Sequence, residues 1–194
     1  GNVNVVGEPN ENYAREILQL FSIGLVELNQ DGTPILDAAG KPVPTYDQAE
    51  IDGFANVFTG WSYPPQAGQA ARFNSTPYFS GQMVSFSANH ETAAKQLLGA
   101  TAPAGLSAAA DLANALHNIF MHPNVGPFIA NQLIQKLVTG NPAPGYISRV
   151  ATVFNDNGAG VRGDMKAVVR AILSDPEARG DLKIDPLYGK LREP

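Results

Sequence analysis

Cysteine is absent from the 194 residues, and basic residues are outnumbered: 13 lysines and arginines stand against 18 acidic residues. Without cysteine the chain has no disulfide, no thiolate zinc site and no cysteine nucleophile. The shortage of positive charge argues against a nucleic-acid partner, because such proteins neutralise phosphates with a basic surface. Apolar runs stay well below the roughly 18 residues of a membrane-spanning helix, so no membrane span is expected.

Helical spacing of apolar residues is the commonest pattern in the chain, and 19 glycines and 15 prolines divide the apolar stretches. Ser107 and Asp164 are typical N-caps, and Pro144 suits a first helical turn. Thr45 is predicted to cap another helix, with Gln48 reaching back to it. The pattern predicts helices over 10–24, 47–58, 90–98, 107–122, 123–140, 144–154 and 164–173. The predicted fold class is therefore all-α, an antiparallel helical array that forms a single helical domain over 1–194.

One stretch departs from helical spacing, between residues 25 and 44. Asp31-Gly32 lies between two apolar runs, which is a hairpin signal. Pro42 and Pro44 then add turns. A small β-hairpin excursion is predicted for this stretch.

A long loop is predicted over 62–77, which is rich in proline, glycine and polar residues. Long loops often carry function in compact domains. Trp61 stands at its start and has two interpretations. It either stacks on a bound sugar or peptide, or it closes a helix against the core.

Glu16 and His90 are the candidate catalytic residues. Glu16 shares a helical face with Asn12, four residues away, and Arg15 stands beside it. These residues are interpreted as the wall of a site in which Glu16 acts as an acid, base or ligand. The alternative is a structural Arg–carboxylate pair. His90 is predicted near a helix N-terminus, where it acts as a neutral base or only bonds a loop carbonyl.

No complete cofactor or metal motif is present. His90-Glu91 begins like a zincin motif, but position 94 is alanine where the second histidine belongs. Counting from Asp156, the last ligand position of a calcium loop falls on Ala167 instead of glutamate. Nucleophile-elbow, phosphate-loop and dinucleotide fingerprints are missing as well. No cofactor and no metal site are therefore predicted.

Several strings in the chain resemble the motifs of a bacterial family catalogued as domain of unknown function 1800. The resemblance covers essentially the whole chain, although His90 is followed by Glu91 where the family often has aspartate. The strings that carry it are Asn10–Glu16, Leu20–Gly24, Thr59–Trp61, His90–Glu91 with Lys95 and Leu98–Gly99, His122–Pro123, Phe154–Arg179 and Tyr188–Pro194.

The resemblance implies that the chain is a fragment of a longer protein. Many relatives carry export signals, and this implies a periplasmic or secreted location by analogy. The family has no assigned function, and the binding partners are unknown. Contact with the missing parts of the parent chain is one expectation.

Three hypotheses about function follow. The first is a non-catalytic extracytoplasmic scaffold or binding domain, since no catalytic constellation is complete. The second is a hydrolase-like enzyme that uses Glu16 and His90, with Arg15 or Lys95 binding an anionic group. The third is a structural fragment whose site is completed by the rest of the parent. Candidate binding residues are Asn12, Arg15, Trp61, Glu91 and Lys95, and whether the protein is an enzyme stays open.

Overall fold

Helices are the dominant elements among the residues that the computed structural model describes, which are 9–180 and 188–190. The contacts of the chain divide it into two units. Unit 1 comprises Gly1–Phe21 and Tyr46–His122, and unit 2 comprises Ser22–Thr45 and Pro123–Pro194. The final string of the family resemblance, from 191 onward, lies outside the described residues.

Unit 1 combines helices with two small antiparallel strand pairs. Its elements are α1 (Asn12–Glu16) with a π-helical continuation (Ile17–Ser22, whose last residue is counted in unit 2), α2 (Gln48–Val57), β1 (Trp61–Ser62), β2 (Val84–Ser85), a 3-10 turn (Ser87–Asn89), β3 (Lys95–Leu97), β4 (Ala100–Ala102) and α3 (Ala108–Met121). Strand β1 pairs with β2, and β3 pairs with β4. The all-α prediction is thus right for the dominant element type and misses both strand pairs.

Helix α2 begins one position away from the predicted cap. The side chain of Asp47 accepts hydrogen bonds from the backbone N–H groups of Ala49 and Glu50, and Glu50 bonds back to the Asp47 N–H. This is a capping box built on Asp47, so the prediction of Thr45 with Gln48 was wrong. The Thr45 hydroxyl donates instead to the carbonyl of Gly24, so the bond joins the two ends of the β excursion in unit 2.

The helix predicted over 90–98 is absent, and strand β3 lies there instead. Lys95 and Leu97 point inward and are buried, whereas Gln96 between them is exposed. This alternation lets the segment pack on α2 at Gly53. Only glycine leaves enough room there, because a Cβ on Gly53 would lie 1.7 Å from the Gln96 carbonyl oxygen. Tertiary packing therefore overrides the helical propensity of the segment.

Helix α3 buries a different face from the one expected. Ser107 caps it as predicted, accepting from the Ala110 N–H. The spacing of apolar residues predicts an inward face that includes Leu116, Ile119 and Phe120. Ile119 is buried as expected, but Leu116 and Phe120 are exposed. The buried residues are Ala108, Asp111, Ala115 and Ile119. A charged residue thus stands in the middle of the inward face.

Unit 2 is built from the helices α4 (Val125–Leu137), α5 (Pro144–Asn155), α6 (Met165–Ser174) and α7 (Pro176–Arg179). Pro144 opens α5 and Asp164 caps α6, as predicted. Tyr146 on α5 is fully buried, and its hydroxyl donates to the Ile172 carbonyl of α6 at 2.6 Å. Burial is the main cause of the raised pKa of Tyr146. The described residues hold no helix long and apolar enough to cross a membrane.

The β excursion of unit 2 consists of three antiparallel bridges. They pair Val26 with Pro44, Leu28 with Pro34, and Leu36 with Pro42. Each bridge includes a proline, yet the residues beside the prolines make the ladder bonds: the Glu27 N–H donates to the Val43 carbonyl and the Ile35 N–H donates to the Glu27 carbonyl, both at 2.8 Å. The predicted β excursion over 25–44 is confirmed in this reduced form.

Asn124 holds this excursion from within unit 2. Its side chain is fully buried. The Nδ2 group donates to the carbonyls of Ile23 and Val26, and Oδ1 accepts from the Leu28 N–H. One amide therefore satisfies three backbone groups within residues 23–28.

Replacing this amide is expected to destabilise the chain. Asn124→Ala removes three hydrogen bonds and leaves buried backbone groups unpaired, so the free energy of unfolding should fall by about 2–4 kcal/mol. Urea denaturation followed by circular dichroism measures it. Asn131→Ala, a half-buried asparagine of α4, is the control and should change stability by less than about 0.5 kcal/mol. Equal effects for both variants would contradict the role assigned to Asn124.

Candidate functional site

His90 lies at the end of the 3-10 turn, and its ring is enclosed. Nε2 is 2.9 Å from Asp111 Oδ2, and Nδ1 is 3.1 Å from the Thr59 carbonyl and 3.2 Å from the Thr59 hydroxyl. Because a carboxylate only accepts, Nε2 donates to Asp111. Gly60 makes room for the histidine, since a Cβ there would stand 2.9 Å from the His90 Cβ.

Lys95 completes the cluster from strand β3. Its ammonium donates to Asp111 Oδ2 at 2.6 Å and to the Ala93 carbonyl at 3.0 Å. Residue exposure is 2% for Lys95, 8% for His90 and zero for Asp111. We call His90, Lys95 and Asp111 the buried triad. Its negative charge comes from α3, and its positive charge comes from the strand packed on α2.

Burial limits the chemistry that the buried triad can perform. Asp111 Oδ2 receives both donors, whereas Oδ1 is buried without a partner among the described residues. A carboxylate in this setting needs its counter-charge, because an unpaired buried charge is costly. The triad fastens the 3-10 turn, β3 and α3 of unit 1 to one another.

Thr59 extends this network towards the backbone. Its hydroxyl donates to the Asn56 carbonyl and accepts from the Glu91 N–H at 2.9 Å. The Glu91 carboxylate accepts from the Ala93 N–H at 2.8 Å. Glu91 therefore shapes the turn that leads into β3 and does not enter the buried triad.

The predicted residues of α1 lie on an exposed part of unit 1. Glu16 and Asn12 are exposed. Arg15 donates from Nη2 to Glu11 Oε2 and to Gln48 Oε1, each at 2.7 Å. Hydrogen bonding from Gln48, and then from Arg15, lowers the pKa of the Glu11 carboxyl. The carboxylate that pairs with Arg15 is thus Glu11, which the sequence reasoning did not select.

Trp61 belongs to β1 and lines an apolar pocket of about 610 Å³ in unit 1. The ring of Tyr13 meets that of Phe58 edge to face at 4.9 Å in the same pocket. The indole N–H of Trp61 is buried without a partner among the described residues. The pocket is lined by Tyr13, Phe58, Trp61, Gln82, Met83 and Leu112.

A second pocket of unit 1 lies in the long loop after β1. It measures about 540 Å³ and is lined by ten residues between Pro64 and Thr76. We call it the loop pocket. Glutamine, asparagine, serine, threonine and arginine side chains make up much of its wall. The described residues contain no group of three or more histidine, aspartate or glutamate side chains arranged to hold a metal ion.

Asp111 is the residue that sequence reasoning missed. It stands in register with Ala108, Ala115 and Ile119, at positions that share one face of a helix. An aspartate flanked at helical spacing by small apolar residues was the available signal, and it was obscured by the larger apolar side chains of the neighbouring face. The structure brings His90 and Lys95 together through Asp111, and places Glu16 on α1 with exposed surroundings.

Breaking the buried triad is expected to destabilise the chain strongly. Asp111→Ala leaves Lys95 and His90 without their carboxylate, which should lower the free energy of unfolding by about 3–5 kcal/mol. Asp52→Ala, on the exposed side of α2, is the control and should cost less than about 0.5 kcal/mol. Chemical denaturation at pH 7 measures both.

The double variant Lys95→Met with Asp111→Leu sharpens this test. It removes both charges and fills the space with apolar side chains, so it should cost less than Asp111→Ala alone. A double variant at least as unstable as the single one would show that the charge pair is not the source of the effect.

Comparison with known proteins adds the family. A family model described as a protein of unknown function (DUF1800) matches residues 1–194. The curated proteins and the solved structures give no match to the chain. The motifs quoted above thus identified the family correctly, and its function is unknown. The chain belongs to the DUF1800 family.

Proposed function

We propose that this chain is a non-catalytic binding or scaffold domain of a longer extracytoplasmic bacterial protein. The observation that supports it best is the state of the His90 ring. Both ring nitrogens are bonded inside the fold, to Thr59 and Asp111. A general base needs a nitrogen within reach of a substrate proton, and neither nitrogen of His90 is open to one.

The hydrolase alternative is not favoured by the same geometry. Its two catalytic residues would have to act on one substrate, yet Glu16 is exposed on α1 whereas the described partners of His90 are Thr59 and Asp111. Lys95, considered for binding an anionic group, is already bonded to Asp111 and is buried. A catalytic role for Glu16 or His90 stays a prediction that experiment has to test.

A binding role fits two open pockets in the described part of unit 1. The first is apolar and aromatic, and the second is the polar loop pocket. Both fall within the volume range of about 300–1,000 Å³ that is typical of small-molecule sites. The extracytoplasmic location and the longer parent rest on the family resemblance, as does the bacterial source.

A substrate panel tests the non-catalytic role. The 194-residue chain is incubated with nitrophenyl esters, phosphates, sulfates and glycosides, beside Glu16→Ala and His90→Gln variants. Because neither Glu16 nor His90 lines either of the two pockets, we expect no turnover that depends on either residue. Thermal melting of each variant serves as the control for folding. Turnover that disappears in Glu16→Ala while the melting temperature is unchanged would refute the proposal.

Cell fractionation tests the location. We expect the parent protein, followed with an antibody against this chain, in the periplasmic or secreted fraction, because relatives carry export signals. A cytoplasmic marker enzyme is the control for lysis. Recovery of the parent together with that marker would remove the extracytoplasmic part of the proposal and leave the binding role untouched.

A further inference from the structure

We propose that the loop pocket binds a saccharide that carries a carboxylate, such as a uronic acid unit. The proposal deepens the binding role proposed above and rests on it.

The loop is tied down at both ends, so its pocket has a defined wall. Strands β1 and β2 close its base, and the Phe86 N–H donates to the Gly60 carbonyl at 2.8 Å. Within the loop, the Asn74 N–H donates to the Ser62 hydroxyl at 3.0 Å. The rings of Phe73 and Phe86 meet edge to face at 5.6 Å. A site on a braced loop loses less conformational entropy on binding than one on a free loop.

The pocket has a charge opposite to that of the chain. Arg72 is its only charged lining residue, and no carboxylate lines it, although the chain as a whole carries −5. Arg72 is exposed, and its guanidinium has no partner among the described residues. A guanidinium presents a planar pair of donors that matches a carboxylate. The site therefore favours a ligand with one negative charge.

The remaining polar groups of the wall suit a ligand rich in hydroxyls. Gln66, Gln69 and Asn74 carry amides that both donate and accept hydrogen bonds, as sugar hydroxyls do. The Ser75 hydroxyl is buried and lacks a partner among the described residues. Such a group is rare in native proteins and calls for an explanation. A ligand hydroxyl would supply its missing bond once side chains at the wall adjust.

The backbone of the wall is strained at one point. Asn74 has a φ of 56°, the only positive value found for a residue other than glycine in the described chain. Strain of this kind collects at ligand-binding segments. The apolar part of the wall includes Pro65 and Phe73, which offer surfaces for the C–H face of a sugar ring. A phosphate-rich ligand fits less well, because it would need several cations.

Calorimetric titration of the 194-residue chain with digalacturonate and with its methyl ester tests the ligand class. The two probes differ only in charge and in the ester methyl groups. We expect the acid to bind at least about tenfold more tightly, a difference of about 1.4 kcal/mol. Equal affinities, or no binding of either probe, would overturn the proposal. Inorganic phosphate that displaces the acid at matching concentration would also overturn it.

Two arginine variants then assign the site. In Arg72→Gln the acid and the ester should bind with equal affinity, since the guanidinium that distinguishes them is gone. Arg170→Gln is the matched control, an exposed arginine of α6 in unit 2, and should keep the tenfold preference. A preference retained in Arg72→Gln, or lost in Arg170→Gln, would place the ligand elsewhere.

The outcomes separate this inference from the binding role on which it rests. Absence of saccharide binding, together with absence of turnover in the substrate panel, overturns the ligand and leaves the non-catalytic role standing. Hydrolysis of digalacturonate that requires Glu16 overturns the non-catalytic role, whatever its affinity. Side-chain amide signals of Gln66 and Gln69 should shift on addition of the acid, and shifts confined to other residues would contradict the site.

Discussion

A carboxylate inside a protein needs donors close to it, and in unit 1 this requirement is met at Asp111. The side chain of Asp111 is completely buried, with the Lys95 ammonium at 2.6 Å and the His90 ring at 2.9 Å from the same oxygen. The three side chains come from helix α3, strand β3 and the 3-10 turn. The carboxylate holds these elements together, because separating it from its buried donors would leave a charge unpaired inside the protein.

The same interaction explains why the candidate catalytic histidine is closed. His90 sits beside Gly60, where a side chain would collide with it, and its second nitrogen faces Thr59. In the sequence, a histidine next to a glutamate resembles part of a metal or acid–base motif. In the structure, the histidine ring stabilises the turn before β3. Two open pockets in the described part of unit 1, the apolar pocket beside Trp61 and the loop pocket, are not lined by His90.

In unit 2, neutral side chains form the corresponding buried hydrogen bonds. In and beside its β excursion, the Leu28 N–H and the carbonyls of Ile23 and Val26 are bonded to a side chain instead of to backbone. Asn124 supplies those bonds from the start of α4, and Tyr146 does the same for the Ile172 carbonyl of α6. In both units a buried polar side chain completes backbone that regular secondary structure does not satisfy.

The sequence alone was enough to determine the helix starts at Ser107, Pro144 and Asp164 and the β excursion, because caps and proline positions act over a few residues. Short motifs were likewise enough to identify the family. Only the tertiary structure decided the conformation of 95–97 and the inward face of α3. Strand β3 exists because Gly53 lets a chain pack against α2, and Asp111 is turned inward because Lys95 and His90 meet it there. Those partners are distant in sequence, and their proximity follows from packing that no local pattern encodes.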